Sequence, residues 1–254
     1  MRIVIITQND PFYLAENLDY LFRKLPRHSR VVGCILLDPS PFGKKGTFFE
    51  KMLRTINVFG IGFFVRYGLQ YLINRPNPNK SVPKVLKKRG IPMVELTKSI
   101  NHHESLALIE RFSPEILVSI AGNQIFKSQL IALAPKGCLN LHTALLPKYR
   151  GLMPSFWVLR NGEKYTGVSV FFVNDRIDSG PVIVQKRVEI GNHTQKELII
   201  QTKKLGMDAI SEAIDFIEAG RYELVANEDA ASSYFSFPSR RDVLEFKRAG
   251  KRFY

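Results

Sequence analysis

Short runs of β-branched residues alternate with amphipathic stretches through Gly220, and this rhythm limits what the chain can fold into. Residues 2–7 (RIVIIT) read as a strand, and 11–25 space their apolar residues as a helix does. A second strand is expected over 30–37, a third over 91–96, a helix over 104–112 and a fourth strand over 115–121. A short helix follows near 127–134, then a fifth strand over 137–142. Two more strands, 166–173 and 182–190, are joined by NDRIDSGP, and a helix over 194–219 stops at Gly220. Strand and helix in this order imply an α/β fold with a mostly parallel sheet covered on both faces.

Two regions break the rhythm. Residues 40–90 are an insertion between the second and third strands, and 221–254 form a C-terminal extension expected to pack back on a catalytic domain spanning 1–220. The net charge of +14 sits in these same regions. Residues 44–89 carry eleven Lys/Arg and one Glu, a net +10, and 240–254 carry six basic and two acidic residues, a net +4. Each segment suits an anionic partner (a nucleotide diphosphate, RNA or a lipid headgroup) or is simply a solvated basic surface. Within the insertion, 48–73 is rich in aromatic and apolar residues. Its longest uncharged run, 55–65, is eleven residues, short of the ~20 that span a bilayer. A pair of helices docked on the domain is the first reading; a helix making peripheral membrane contact is the second. Cys34 and Cys138 lie in apolar runs and read as reduced packing residues of a cytoplasmic protein. The N-terminal apolar run ends at Gln8, too soon for a signal-peptide core.

The chemistry-bearing residues cluster at strand ends. Asn140 and His142 close the fifth strand two residues apart, so they share one face of it. Asp178 lies in the turn after the next strand and is positioned to reach them. In open α/β sheets, ligands bind beyond the carboxyl ends of the strands. An amide can donate to a developing oxyanion, an imidazole can stabilise that charge or move a proton, and a carboxylate can orient the imidazole and take a proton. No Ser or Cys stands beside the pair, so a substrate-borne nucleophile attacking a carbonyl-like carbon is the chemistry suggested. Taken alone, the same residues also read as a capped strand end and an ordinary Asp-Ser-Gly turn. The loop after the first strand, beginning Gln8-Asn9, lacks a dinucleotide fingerprint, and no metal-ligand spacing is present; His102-His103-Glu104 reads as surface.

Four ordered stretches carry a resemblance. They are Asn140-Leu-His142; Leu146-Pro-Lys148-Tyr149-Arg150-Gly151; Asn161-Gly followed by Thr166-Gly-Val-Ser-Val170; and Asp178-Ser-Gly-Pro-Val-Ile183 with Gln185. Together they resemble the formyltransferase superfamily, which includes methionyl-tRNA formyltransferase, glycinamide ribonucleotide transformylase and the sugar N-formyltransferases. The resemblance is dense over 115–190 and does not cover 40–90. It implies a three-layer α/β/α Rossmann-like fold with a seven-stranded, mostly parallel sheet. It also implies N10-formyltetrahydrofolate as formyl donor and no metal. By the same match, Asn140, His142 and Asp178 are the catalytic trio. They support direct attack by an amine and a tetrahedral intermediate. Donor-binding loops fall on Gly122, Asn123, Gln124, Ile125 and Phe126, and on Asn174, Asp175, Arg176 and Ile177. Gln8, Asn9, Lys148, Tyr149 and Arg150 are the candidate acceptor contacts, with Lys148 and Arg150 at a basic pocket edge suited to a diphosphate.

The departures bear on the acceptor. Ala144 stands where family members commonly have Ser. The Gly-rich phosphate loop of the glycinamide ribonucleotide enzymes is missing. Thirty-five residues follow Ala219, too few for the C-terminal barrel of the tRNA enzymes. The expected acceptor is therefore a small amine on a nucleotide-linked amino sugar of the 4-amino-4,6-dideoxy type. Initiator methionyl-tRNA held by the basic insertion is an alternative, as is a non-catalytic folate- or membrane-binding relative. A homodimer is left open.

Overall fold

The computed structural model describes residues 1–37 and 47–254; the opening of the expected insertion, 40–46, lies outside the described residues. Seven strands form one sheet: β1 (Arg2–Gln8), β2 (Arg30–Leu37), β3 (Met93–Glu95), β4 (Ile116–Ile120), β5 (Cys138–His142), β7 (Tyr165–Phe172) and β8 (Val182–Glu189). Their order is β3-β2-β1-β4-β5-β7-β8. The first five run parallel, while β7 is antiparallel to β5 and β8 antiparallel to β7. The strand order reverses between β1 and β4, the place where a crevice opens at the carboxyl edge of such a sheet.

Alternation along the buried strands builds the layers. Ile3 and Ile5 face one cluster with Leu139 and Leu141, covered by α1 (Leu14–Lys24), α4 (Val82–Lys88) and α8 (Gln195–Ala219). Val4 and Ile6 face the other with Leu117 and Cys138, covered by α5 (His103–Glu110) and α6 (Ser128–Ile131). Asn140 and His142 therefore share the face of Cys138, at the strand's open end. Thr194 and Glu197 start α8 with a capping box, and left-handed Gly220 ends it. Gly206 lets this helix approach β5, because a Cβ there would crowd the Leu141 side chain. Cys34 and Cys138 are buried and free, and burial pushes the Cys34 thiol up to about 12.

Besides α4, the described part of the insertion holds α2 (Phe48–Phe59), started by a Thr47–Glu50 capping box, and α3 (Ile61–Asn74), hinged at Gly60. A third cluster joins them to α7 (Pro154–Arg160) and α9 (Arg240–Arg248) through Phe59, Phe156, Trp157, Phe246 and Phe253. Phe246 stacks on Phe253 at 4.6 Å and on Phe156 at 5.0 Å between ring centroids. Periodicity did not reveal α7, α9 or the small parallel pair β6 (Arg150–Gly151) and β9 (Tyr234–Phe235). α7 has only seven residues and starts at left-handed Met153. α9 buries just Val243 and Phe246 among charges, a sparse apolar pattern.

Phe246→Ala is expected to destabilise the protein by about 3–5 kcal/mol through the cavity it leaves, seen as a lower urea midpoint. An unchanged midpoint would mean that α9 contributes nothing to the folded core.

Candidate active site

β5 sets two side chains at its open end. Asn140 pairs in register with Ser119 of β4 and Phe171 of β7. It is half-buried, and among the described residues its carboxamide has no hydrogen-bond partner. His142 is buried, and its Nε2 lies 2.6 Å from the Tyr149 carbonyl oxygen. A carbonyl can only accept, so Nε2 carries a proton and donates. Nδ1 is then the variable nitrogen, and it lies 3.6 Å from Asp178 Oδ2.

Asp178 is held in the left-handed region, φ +47°, a conformation that Asp tolerates better than most residues. Its Oδ2 accepts from the Gly151 amide at 2.8 Å. Oδ1 has no partner among the described residues. The turn before it is an Asx turn: Asn174 Oδ1 accepts from the Arg176 amide at 3.1 Å and the Ser179 hydroxyl at 2.8 Å. From the far side, Asn227 Nδ2 donates to the carbonyls of Asp178 and Gly180 at 2.8 and 3.0 Å.

The loop from β5 to Gly151 is held by buried polar groups that sequence reading assigned no role. Ser169 Oγ donates to the Ala144 carbonyl at 2.8 Å and accepts from the Leu146 amide at 3.1 Å. Gln185 Nε2 donates to the Leu146 carbonyl and to Ser169 Oγ, each at 2.9 Å. The Leu146–Pro147 peptide is cis. Tyr149 has φ +60° and Gly151 φ +96°. A side chain at Gly151 would run into the Phe235 carbonyl, so glycine is required where β6 meets β9.

Two of the expected acceptor contacts, Arg150 and Tyr149, are buried and bonded within the chain. The Arg150 guanidinium is buried, pairs with Asp229 at 2.7 Å and donates to the carbonyl and side-chain oxygens of Asn227 at 2.8 Å. The two arginines on Asp229, Arg150 and Arg176, hold that carboxyl below its usual range. Tyr149 is also buried; its hydroxyl donates to Glu163 at 2.6 Å and its ring stacks on Phe235. Burial, then the bond to Glu163, pushes its phenol up to about 12. Both residues are taken by the extension, which no local motif announces. Lys148 is exposed. Gln8 ends β1, and Asn9 accepts from the Val82 amide at 3.2 Å, tying that loop to the insertion.

The first expected donor loop leaves β4 through left-handed Ala121. A Cβ on Gly122 would sit 2.6 Å from Ser119 Oγ. Gln124 Oε1 accepts from the Ile100 amide at 2.9 Å, and Asn101 bridges the Ile125 carbonyl and the Lys127 amide. Asn123 lies in this loop with a buried side-chain oxygen. Phe126 is buried in the core, whereas Ile125 is 57% exposed. In the second loop Ile177 is 44% exposed, Asp175 is exposed, and Arg176 turns to Asp229. His102, His103 and Glu104 are the candidate metal-ligand group among the described residues. His102 caps α5 by accepting from the Glu104 amide, and Glu104 pairs with Lys98, so the group acts as a helix start.

The formyl transferase family model matches residues 71–214. A methionyl-tRNA formyltransferase of Kosmotoga olearia is 33% identical over 167 residues, which are 64% of this chain and 52% of that one. The chain thus spans about half the length of the relatives it matches. WlaRD, a sugar 3N-formyl transferase solved with dTDP and 5-N-formyl-THF, superposes with a TM-score of 0.60 at 20% identity, over 93% of this chain and 69% of that one. An N-formyltransferase of Helicobacter canadensis, in complex with folinic acid and dTDP-3-aminofucose, gives 0.60 at 18% identity, over 97% and 79%. At these identities the structural likeness speaks for the fold. With the family model covering more than half of its residues, the chain belongs to the formyl transferase family.

Proposed function

We propose that the chain is an N-formyltransferase that passes the formyl group of N10-formyltetrahydrofolate to a primary amine on a nucleotide-linked sugar. One observation carries the reading: at the open end of β5 a carboxamide without a partner among the described residues shares a strand face with an imidazole whose Nε2 is fixed as donor, and that imidazole meets a carboxylate with one oxygen likewise unpartnered among the described residues. The donor supplies an activated formyl carbon. Exposed Ile125 and Ile177, one on each loop, suit the flat faces of the donor's ring system, and loop backbone groups suit its polar edge.

The acceptor amine attacks that carbon with its lone pair, and negative charge gathers on the formyl oxygen. Asn140 has N–H groups free to meet it. A proton on His142 Nδ1 makes an imidazolium, which adds positive charge there and is itself balanced by Asp178. The free Asp178 oxygen takes the proton that the amine sheds, and a proton returns to the donor nitrogen as the carbon–nitrogen bond breaks. Gly151 keeps the carboxylate in reach, so the strained loop acts on orientation rather than on binding.

Lys148, Gln8 and Asn9 border the acceptor side. The nucleotide amino sugar held by the Helicobacter fold neighbour, whose superposition covers 97% of this chain, supports a sugar acceptor. The methionyl-tRNA formyltransferases among its relatives, with the basic insertion, favour a second reading in which the acceptor is tRNA. Tetrahydrofolate release on a panel of nucleotide amino sugars and on charged initiator tRNA separates the two. Turnover on tRNA alone would replace the sugar, and turnover on neither would end the assignment.

Asp178→Asn is expected to lower kcat about 100- to 10,000-fold with an unchanged melting temperature. Wild-type turnover would remove Asp178 from the proton path. Asn140→Ala should cost about 100- to 1,000-fold in kcat; a change confined to KM would make it a binding group. Gly151→Ala should cost about 100-fold through displacement of Asp178, and full activity would show that the Gly151 amide is dispensable.

A further inference from the structure

We propose that α3 is an interfacial helix that lays its outer face on an anionic membrane surface. Its inner face is occupied. Phe63 stacks on Phe59 at 4.6 Å, Tyr67 on Phe12 at 4.3 Å, and Asn74 donates to the Pro11 carbonyl at 2.9 Å. The outer face carries Ile61, Val65, Leu69, Leu72 and Ile73, between 49 and 68% exposed. At about 100° per residue these five cover an arc of about 120°, opposite the inner residues. α2 adds Phe49 and Leu53, one turn apart and exposed. A water-facing helix face is normally polar, and an apolar stripe of this kind marks a surface that is covered in use.

The surrounding charge selects what covers it. Residues 47–89 hold nine Lys/Arg against one Glu, a net +8, of which Lys80 and Arg89 are neutralised by Glu16 and Asp19, leaving +6, and α3 has no acidic side chain. Arg75, Lys84, Lys87 and Lys88 are exposed beside the stripe in the chain. A second copy docking through this face would set two such segments against each other. RNA would meet the charge but gain nothing from the aliphatic side chains. An anionic bilayer surface satisfies both, the headgroups taking the cations and the acyl boundary the aliphatic side chains. Among the described residues no helix is long and apolar enough to cross a membrane, and α3 has 14 residues, so it lies along the interface.

The test is co-sedimentation of the whole chain with phosphatidylcholine vesicles, with and without about 30% phosphatidylglycerol. Wild type should pellet with the anionic vesicles at low salt and be released at about 0.5 M NaCl. Leu69→Ser with Leu72→Ser should lower the bound fraction at least about tenfold. Tetrahydrofolate release by this double variant on a soluble acceptor should stay at the wild-type level, which separates lost docking from a lost site. Absence of wild-type binding to anionic vesicles would overturn the proposal, as would equal binding by the double variant. A concentration-dependent dimer abolished by the double substitution, without vesicle binding, would assign the face to a second copy. Low-salt tRNA retention that survives the substitution, again without vesicle binding, would assign the charge to RNA.

Discussion

A carbonyl oxygen accepts hydrogen bonds and never donates them. The bond from His142 Nε2 to the Tyr149 carbonyl therefore decides which imidazole nitrogen is left for chemistry, and it turns Nδ1 toward Asp178. Much of the surrounding construction keeps that carbonyl where it is. Ser169 and Gln185 hold the loop from beneath, with every hydrogen-bonding capacity of the Ser169 hydroxyl used. Tyr149 is pinned by its amide to Ser233 and by its phenol to Glu163. Polar groups buried and satisfied in this way rigidify a structure more than equal numbers of exposed ones.

The fold was legible because its central strands, β1 and β4, are buried on both faces. Runs such as IVII and ILVSI have no other stable use in a chain with this spacing, and β2 lies where its sequence pattern placed it, over Arg30–Leu37. The trio was only half legible. The period-two relation of Asn140 and His142 follows from strand geometry. The reach of Asp178 depends on a nine-residue turn that doubles back beside an antiparallel strand, and local pattern does not contain that.

The extension was the opaque part. Arg150 looks like a surface cation in the sequence because its partners, Asn227 and Asp229, are more than seventy residues away. Its burial and its bonds from both terminal nitrogens to these partners are what local pattern could not show. The burial of Tyr149 was equally hidden. Its neighbours Phe235 and Ser233 come from SSYFSFPS, a stretch whose only strand is the two-residue β9, too short to announce itself by periodicity.

Asn227 also makes the position of the Asp178 turn depend on the C-terminal extension. Its carboxamide holds the carbonyls on both sides of Ser179, while Phe235 and Ser233 hold the strand that presents Gly151 to Asp178. Residues 1–220 contain Asn140, His142, Asp178 and the whole seven-stranded sheet. They do not contain the side chains that brace the Asp178 turn and the Gly151 strand. The geometry between Asp178 and His142 is thus a long-range property of the sequence: residues 227–235, which lie outside the seven-stranded sheet, brace both the turn that carries the carboxylate and the strand whose amide it accepts from.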